Sequence, residues 1–199
     1  LCSFAPNIDD YVSMWRKFAS GGQVDGAILI APASEMFSHP VKPGDRPVVL
    51  CACKPPEGRK GWGNVGSVTA DNYAAMNDVV KHLVERGYRR LVHLSGPPDI
   101  LDAQERRRFF LRCAAGHRGV NASVVHGAWT RELAYTIALE YINTHEGPPD
   151  AFVAFNDSVA LGVLEALEAR GIAVPDEVAV TGWDDILFAS YAGLTTIHL

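Results

Sequence analysis

The sequence has no excess of positive charge. Its 18 Lys and Arg residues are outnumbered by 23 Asp and Glu residues, which gives a formal net charge of -5. Binding the phosphates of a nucleic acid needs a clustered excess of Lys and Arg. An extended nucleic-acid surface is therefore not expected within these 199 residues, and any DNA-binding part is expected elsewhere in the protein.

Cysteine is also scarce. Cys2, Cys51, Cys53 and Cys113 are too few and too irregularly spaced for a disulfide framework, and no Cys-x-x-Cys pair indicates zinc. Cys51 and Cys53 share one face of a strand end, but they lack a second pair of ligands and are interpreted as small buried hydrophobic residues. The pattern predicts a reducing compartment, the cytoplasm, and no metal site.

Long apolar runs are missing too. No stretch of 18 apolar residues and no basic-then-apolar leader occurs, so neither a membrane span nor a signal peptide is expected, although the first residue is not Met. The motifs of hydrolases, phosphate-binding loops and zinc proteases are absent as well. Gly61–Gly66 has the glycine spacing of a dinucleotide-binding turn, but a strand rather than a helix follows it. The chain is therefore predicted to be no enzyme and to hold no cofactor.

Short apolar runs alternate with amphipathic stretches along the whole chain, a pattern typical of strands joined by helices. A first helix is predicted from Ile8, Tyr11, Trp15 and Phe18 at helical spacing. Strands are predicted at Gly26–Ala31, Val48–Ala52, Val65–Thr69, Arg90–Leu94, Ala122–Val125, Ala151–Phe155 and Glu177–Thr181. Further helices are predicted at Asn72–Arg86, Leu101–Ala115, Arg131–Thr144 and Ser158–Arg170.

Strands that are apolar on both faces and joined by helices predict a doubly wound α/β fold with parallel sheets. Ligands of such folds bind beyond the carboxyl ends of the strands. The first residues, Leu1–Ser3, read as the end of a strand, and Leu194–Ile197 read as a strand with nothing after it. The sequence is therefore expected to be a fragment that lacks both ends.

Several polar or aromatic side chains follow the predicted strands. Consecutive helical residues point about 100° apart, so at most one arginine of the run Arg106–Arg108 is expected to face a pocket at the strand ends. Asn156 is a plausible helix N-cap and Asp157 a favourable first-turn charge. Of the pair Asp184-Asp185, at least one is expected to bind a ligand, because both cannot be caps.

Trp129 stands directly before a predicted helix, at the rim of the sheet. Edge packing alone would explain a large aromatic residue there. Beside Asn, Asp and Arg side chains, however, its ring also offers a flat apolar face on which a sugar or a base can stack.

Four segments form a specific combination. They are Val68–Asn72 leading into a helix, His82–Pro97, Phe155–Leu167, and Val174–Asp185 followed by Leu194–Ile197. In this order, over residues 68 to 197, they resemble the effector-binding core of the LacI/GalR family of bacterial transcription regulators, which shares its fold with periplasmic sugar-binding proteins.

The resemblance implies two α/β subdomains with an effector between them. An incomplete N-terminal subdomain would occupy residues 1–68 and a C-terminal one residues 69–199, ending at a crossover. The DNA-binding helix-turn-helix would lie outside this chain, in a missing N-terminal domain. The whole protein would be a homodimer. The family's effector contacts fall by position on Asp102, Arg106, Trp129, Asn156 and Asp184.

Two positions depart from the family pattern. Ala52, flanked by two cysteines, stands where some sugar-responsive members have an acid, and Phe109 replaces the glycine usual after Glu-Arg. The resulting hypothesis is an effector-sensing domain that binds a small ligand, expected to be a carbohydrate, and so changes the binding of the protein to operator DNA. The alternative is a periplasmic sugar-binding protein of a transport system, which would have a secretory leader instead of a helix-turn-helix.

Overall fold

A computed structural model of the chain describes residues 13, 14, 17, 24–30, 37, 38, 41, 42, 45–55, 58, 61, 62 and 65–199. The residues Ile8, Tyr11, Trp15 and Phe18, from which the first helix was predicted, and the predicted strand end at Leu1–Ser3 lie outside these residues. Ser13, Met14 and Lys17, within the predicted helix, are described and are helical. The chain divides into two compact units. Unit 1 comprises Leu1–Ala70 with Asp99–Asp102, and unit 2 comprises Asp71–Pro98 with Ala103–Leu199.

Unit 1 contains a parallel sheet of three strands in chain order. The strands are β1 (Ala27–Ile30), β2 (Val48–Cys51) and β3 (Gly66–Val68). Residues of β2 alternate between buried and more exposed positions, as successive side chains of a strand point to opposite faces. Its buried Val48 and Leu50 belong to an apolar cluster with Phe37, Cys53 and Trp62.

Unit 2 contains a parallel sheet of four strands in the order β5-β4-β6-β7. The strands are β4 (Arg90–Leu94), β5 (Asn121–Val125), β6 (Ala151–Ala154) and β7 (Ala179–Thr181). The helices are α1 (Asn72–Glu85), α2 (Leu101–Ala115, from Ala103 onward in this unit), α3 (Arg131–Thr144), α4 (Asp157–Ala169) and α5 (Leu187–Tyr191).

The central strand β6 shows why this sheet carries helices on both faces. All four of its residues are buried, and they alternate between two apolar clusters. Phe152 and Ala154 belong to the cluster that includes residues of α3 and α4. Ala151 and Val153 belong to the cluster that includes residues of α1 and α2. A strand that is apolar on both faces needs a layer on each side, so the predicted doubly wound α/β fold is confirmed.

Two features near the end of the chain differ from the predictions. The short helix α5 was not predicted. Residues Leu194–Ile197 were expected to form a strand, but this region forms only the isolated parallel bridges Thr181 to Thr195 and Asp184 to His198. None of the helices formed by the described residues is long and apolar enough to cross a membrane.

Candidate functional site

The side chains that follow the strands of unit 2 meet at the carboxyl edge of its sheet, because parallel strands all end at the same edge. β6 ends at Ala154 and leads through Phe155 into α4, while β7 ends at Thr181 and leads into Trp183 and Asp184. Helix α2, which follows β4, carries Arg106. Phe155 lies at the centre of this group, since both its carbonyl and its ring make the contacts described below.

Arg106 is the arginine that faces the strand ends. Its residue surface is 5% exposed, and its guanidinium carbon lies 4.8 Å from the ring centroid of Phe155 and 4.3 Å from that of Trp183. Its Nη1 donates a hydrogen bond of 2.7 Å to the carbonyl oxygen of Phe155. A buried charge is tolerated only where hydrogen bonds and facing groups compensate its lost hydration, and two aromatic faces and a carbonyl do so here.

Asn72, the first residue of α1, supports Arg106 from the other side. Its Oδ1 accepts a hydrogen bond of 3.4 Å from Nε of Arg106, and its Nδ2 donates one of 2.6 Å to Glu105. Asn72 is 3% exposed. Asn72 was not predicted as a site residue, although it is the last residue of one of the segments that carry the family resemblance.

Asp184 faces Arg106, with 4.0 Å between its Oδ1 and Nη1 of the guanidinium, and its side chain is 37% exposed. Its φ of 105° is rare for a residue other than glycine. The neighbouring Asp185 instead accepts a hydrogen bond of 2.8 Å from His198. The two acids predicted as a pair therefore point to different partners, and the first of them is the one beside Arg106.

Trp129 stacks on Phe155, with 5.6 Å between ring centroids and 29° between ring planes. The residue is 43% exposed, so part of its surface is open. Asn156, the residue after Phe155, caps α4 by accepting a hydrogen bond of 2.8 Å from the backbone N–H of Val159. The predicted N-cap is thus confirmed, and Oδ1 of Asn156 is committed to the helix.

The structure therefore gathers four of the five predicted site residues, namely Arg106, Trp129, Asn156 and Asp184, around Phe155 in unit 2. Asp102 is buried in the first turn of α2, one helical turn before Arg106, and groups with unit 1. The role of all five residues as effector contacts stays a prediction. Phe155 and Trp183 were missed as site residues, although each directly precedes a predicted one.

The other candidate motifs are placed elsewhere. Cys51 ends β2, and Cys53 is buried in the apolar cluster of unit 1. The glycine-rich stretch Gly61–Gly66 is partly outside the described residues, and its last glycine begins β3. Among the parts of the chain that the structure describes, no three His, Cys, Asp or Glu side chains form a group able to hold a metal ion.

Comparison with known proteins adds three findings. A family model described as periplasmic binding protein-like domain matches residues 80–199. The HTH-type transcriptional repressor PurR of Vibrio parahaemolyticus is 37% identical over 122 residues, which are 59% of this chain and only 36% of that protein. The aligned stretch thus spans about a third of that relative.

The third finding is structural likeness. A LacI transcriptional regulator from a Rhodococcus species matches with a TM-score of 0.80 and 29% identity, over 98% of this chain and 70% of that one. A LacI family regulator from Lactobacillus casei with bound glucose matches with a TM-score of 0.78 and 24% identity, over 96% of this chain and 71% of that one. At 24% identity the second likeness shows the fold alone.

Proposed function

Because this chain belongs to the periplasmic binding protein-like family, among the LacI-type transcriptional regulators, we propose that it is the effector-sensing part of such a regulator. A small ligand bound at the carboxyl edge of the unit 2 sheet would change the affinity of the whole protein for operator DNA. The observation that carries this proposal is the buried guanidinium of Arg106, held 4.0 Å from the half-exposed carboxylate of Asp184.

The geometry favours a polyhydroxylated ligand such as a carbohydrate. The carboxylate of Asp184 accepts hydrogen bonds from hydroxyl groups, and the Nδ2 of Asn156 donates to them, since its Oδ1 already caps α4. The open part of Trp129 offers an apolar face for the C–H side of a sugar ring.

The proposal includes the organisation of the whole protein. Residues 1–68 and 69–199 would be two subdomains of the effector-binding core, and operator DNA would be bound by a helix-turn-helix outside this chain. Ligand binding moves an equilibrium between two states of a protein only if the ligand has different affinities for them, and a coupling free energy of about 1 to 3 kcal/mol is typical.

The protein would act in the cytoplasm, without catalysis. Relatives named as transcriptional repressors favour this function over the transport alternative.

We also propose that the protein is a homodimer. The short helix α5 buries Ala189 but exposes three large apolar side chains, with Leu187 71%, Phe188 64% and Tyr191 81% exposed. Contiguous exposed apolar surface of this kind typically marks an interaction site. Most oligomers of soluble proteins are symmetric homodimers, so we propose a second copy of the same chain as the partner of this surface.

Isothermal titration calorimetry of the purified protein with D-glucose, sucrose and adenosine tests the pocket. Asp184→Asn keeps the shape of the side chain but removes its charge, and it should weaken the best ligand by about tenfold or more, as expected for a hydrogen bond to a charged group. Asp185→Asn is the matched control, since Asp185 is the adjacent acid, also has a positive φ and pairs with His198. Equal affinity of both variants and the wild type would refute the assignment of Asp184.

A further inference from the structure

Asp157 is a buried carboxylate that the proposed pocket does not use. The residue is 0% exposed and is the first residue of α4, directly after the N-cap Asn156. Burying a carboxylate is costly unless hydrogen bonds and nearby positive potential compensate it. The N-terminus of α4 supplies part of that potential, and two donors from other segments supply the hydrogen bonds.

These two donors come from distant parts of the chain. Oδ2 of Asp157 accepts a hydrogen bond of 2.8 Å from the backbone N–H of Ile186, in the loop after β7. Oδ1 accepts one of 2.6 Å from the hydroxyl of Thr196. The backbone N–H of Asp157 also donates to the carbonyl oxygen of Trp183 at 2.8 Å. One side chain thus joins the start of α4, the loop that carries Asp184, and the segment Leu194–His198.

Gly182 shows that the chain is fitted around this carboxylate. A Cβ atom at Gly182 would collide with Oδ1 of Asp157 and would lie 2.8 Å from a methyl carbon of Leu194. Its φ is not positive, so glycine is required here by the close approach of the carboxylate and not by backbone conformation. The sequence therefore leaves room for Asp157 to reach both segments.

Backbone hydrogen bonds align the same two segments. The N–H of Gly182 donates to the carbonyl of Thr195 at 2.8 Å, and the N–H of Asp184 donates to that of Ile197 at 2.9 Å. Asp184 and Asp185 have φ values of 105° and 53°, a conformation that persists only where surrounding contacts hold it. The loop is thus held both by backbone hydrogen bonds to Leu194–His198 and by the carboxylate of Asp157.

We propose that Asp157 is a positioning residue that couples the segment Leu194–His198 to the loop carrying Asp184. A displacement of the segment breaks the hydrogen bond between Thr196 and Asp157. The carboxylate of Asp157 then binds the N–H of Ile186 less firmly, and the position of Asp184 relative to Arg106 changes. The functional meaning of this coupling rests on the proposed function, in which Asp184 binds the effector. The coupling itself does not need a ligand to be observed.

Hydrogen exchange of the full-length protein without ligand tests the coupling. Thr196→Val keeps the shape of the side chain and removes its hydroxyl. The amide of Ile186 bonds to Asp157 and should then lose protection by about tenfold or more, as for the loss of a charge-assisted hydrogen bond. The amide of Asp185 donates to the Thr196 hydroxyl at 3.4 Å and loses that bond directly, so Asp157→Asn, which leaves the Thr196 hydroxyl in place, must also lower the protection of Ile186. Thr196→Ser restores the hydroxyl and should restore the protection. The amide of Val159, bonded to Asn156 in the same helix α4, is the internal control.

A merely structural role would lower the protection of Ile186 and Val159 together, and that result would overturn the coupling. Unchanged protection of Ile186 in Thr196→Val would overturn it as well. Asp157→Asn, if it folds, should also lower the protection of Ile186 selectively, because the two donors reach different carboxylate oxygens, whereas an amide offers one oxygen without a full charge. Calorimetry with D-glucose, sucrose and adenosine separates the two hypotheses. If the wild type binds none of them, the proposed function fails, while hydrogen exchange still decides the coupling.

Discussion

The buried histidine of β4, an inner strand of the sheet, makes the stability of unit 2 depend on pH. His93 is 0% exposed, its ring lies 5.2 Å from that of Phe110, and its Nδ1 lies 2.8 Å from the carbonyl oxygen of Val153. A carbonyl only accepts hydrogen bonds, so Nδ1 carries the proton and Nε2 does not. Among the described residues Nε2 has no hydrogen-bond partner, and protonating it would bury an unpaired N–H.

The pKa of His93 is lowered from 6.5 to about 4. Burial is the largest cause and the charge of Arg106 acts in the same direction, while the hydrogen bond to Val153 partly opposes the shift. The unfolded chain therefore binds this proton more readily than the folded protein does. The contribution of His93 to stability is complete above pH 6.5 and is lost as the pH falls from there towards 4.

The size of the loss follows from the shift. Each unit of pKa corresponds to 1.36 kcal/mol, so the full shift amounts to about 3 kcal/mol, of which about 2 kcal/mol is lost by about pH 5. Such a loss is a large part of the stability of an ordinary domain.

Urea denaturation of the wild type and His93→Asn at a series of pH values measures this loss. Asn keeps a donor near Val153 but does not titrate, and the cost of the cavity it leaves is the same at every pH. The wild type should lose about 2 kcal/mol more than the variant in free energy of unfolding between about pH 7.5 and 5. Parallel curves for the two proteins would refute the reasoning.

Three further changes test other parts of the structure. Phe188→Ser on α5 should shift the protein from dimer to monomer in analytical ultracentrifugation, whereas Tyr73→Ser, at an exposed aromatic residue of α1, should not. Trp129→Ala should weaken the best sugar ligand by about tenfold in calorimetry and should also lower Tm through the lost contact with Phe155, and unchanged affinity would exclude ligand stacking as its role. Asp150→Asn should cost about 1 kcal/mol near neutral pH in urea denaturation, because the carboxylate accepts hydrogen bonds from the backbone N–H groups of Arg89 and Arg90. Burial alone would raise the pKa of Asp150, but these bonds lower it overall, so the difference between the two proteins should vanish as the carboxyl group becomes protonated in acid.

The regular elements of unit 2 were predictable because their apolar residues recur with the period of a strand or a helix. The predicted bounds of α2, α3 and β4 agree with the structure, those of α1 differ from it by one residue at the C-terminal end, and those of α4 by one residue at each end. Helix α5 was missed because five residues form too short a window for a period to be recognised, and an isolated helix of that length has no intrinsic stability. The helix is stabilised by the burial of Ala189, which happens only in the folded protein.

Contacts between distant residues could not be read from local patterns. Asp157 was expected to be a first-turn charge, which describes its place in α4 but not its bonds to residues 29 and 39 positions later. In the same way, Asn72 meets Arg106 only because the fold brings the first residue of α1 to α2, 34 positions later in the chain. The positive φ of Asp184 has no sequence signal either, since its N–H is held by Ile197.

Arg106 illustrates a signal that the sequence does contain. The buried apolar residues Ala103, Phe110 and Cys113 of α2 follow the helical period that a core-facing stripe requires. Arg106 is three residues after the first and four before the second, so it occupies a position of that stripe where an apolar residue is expected. A charge there costs free energy unless the fold gives it partners. Its place in the apolar stripe therefore distinguishes Arg106 from its neighbours Arg107 and Arg108 more sharply than its membership of an arginine run, and the same test applies to any helix whose apolar face is interrupted by one charge.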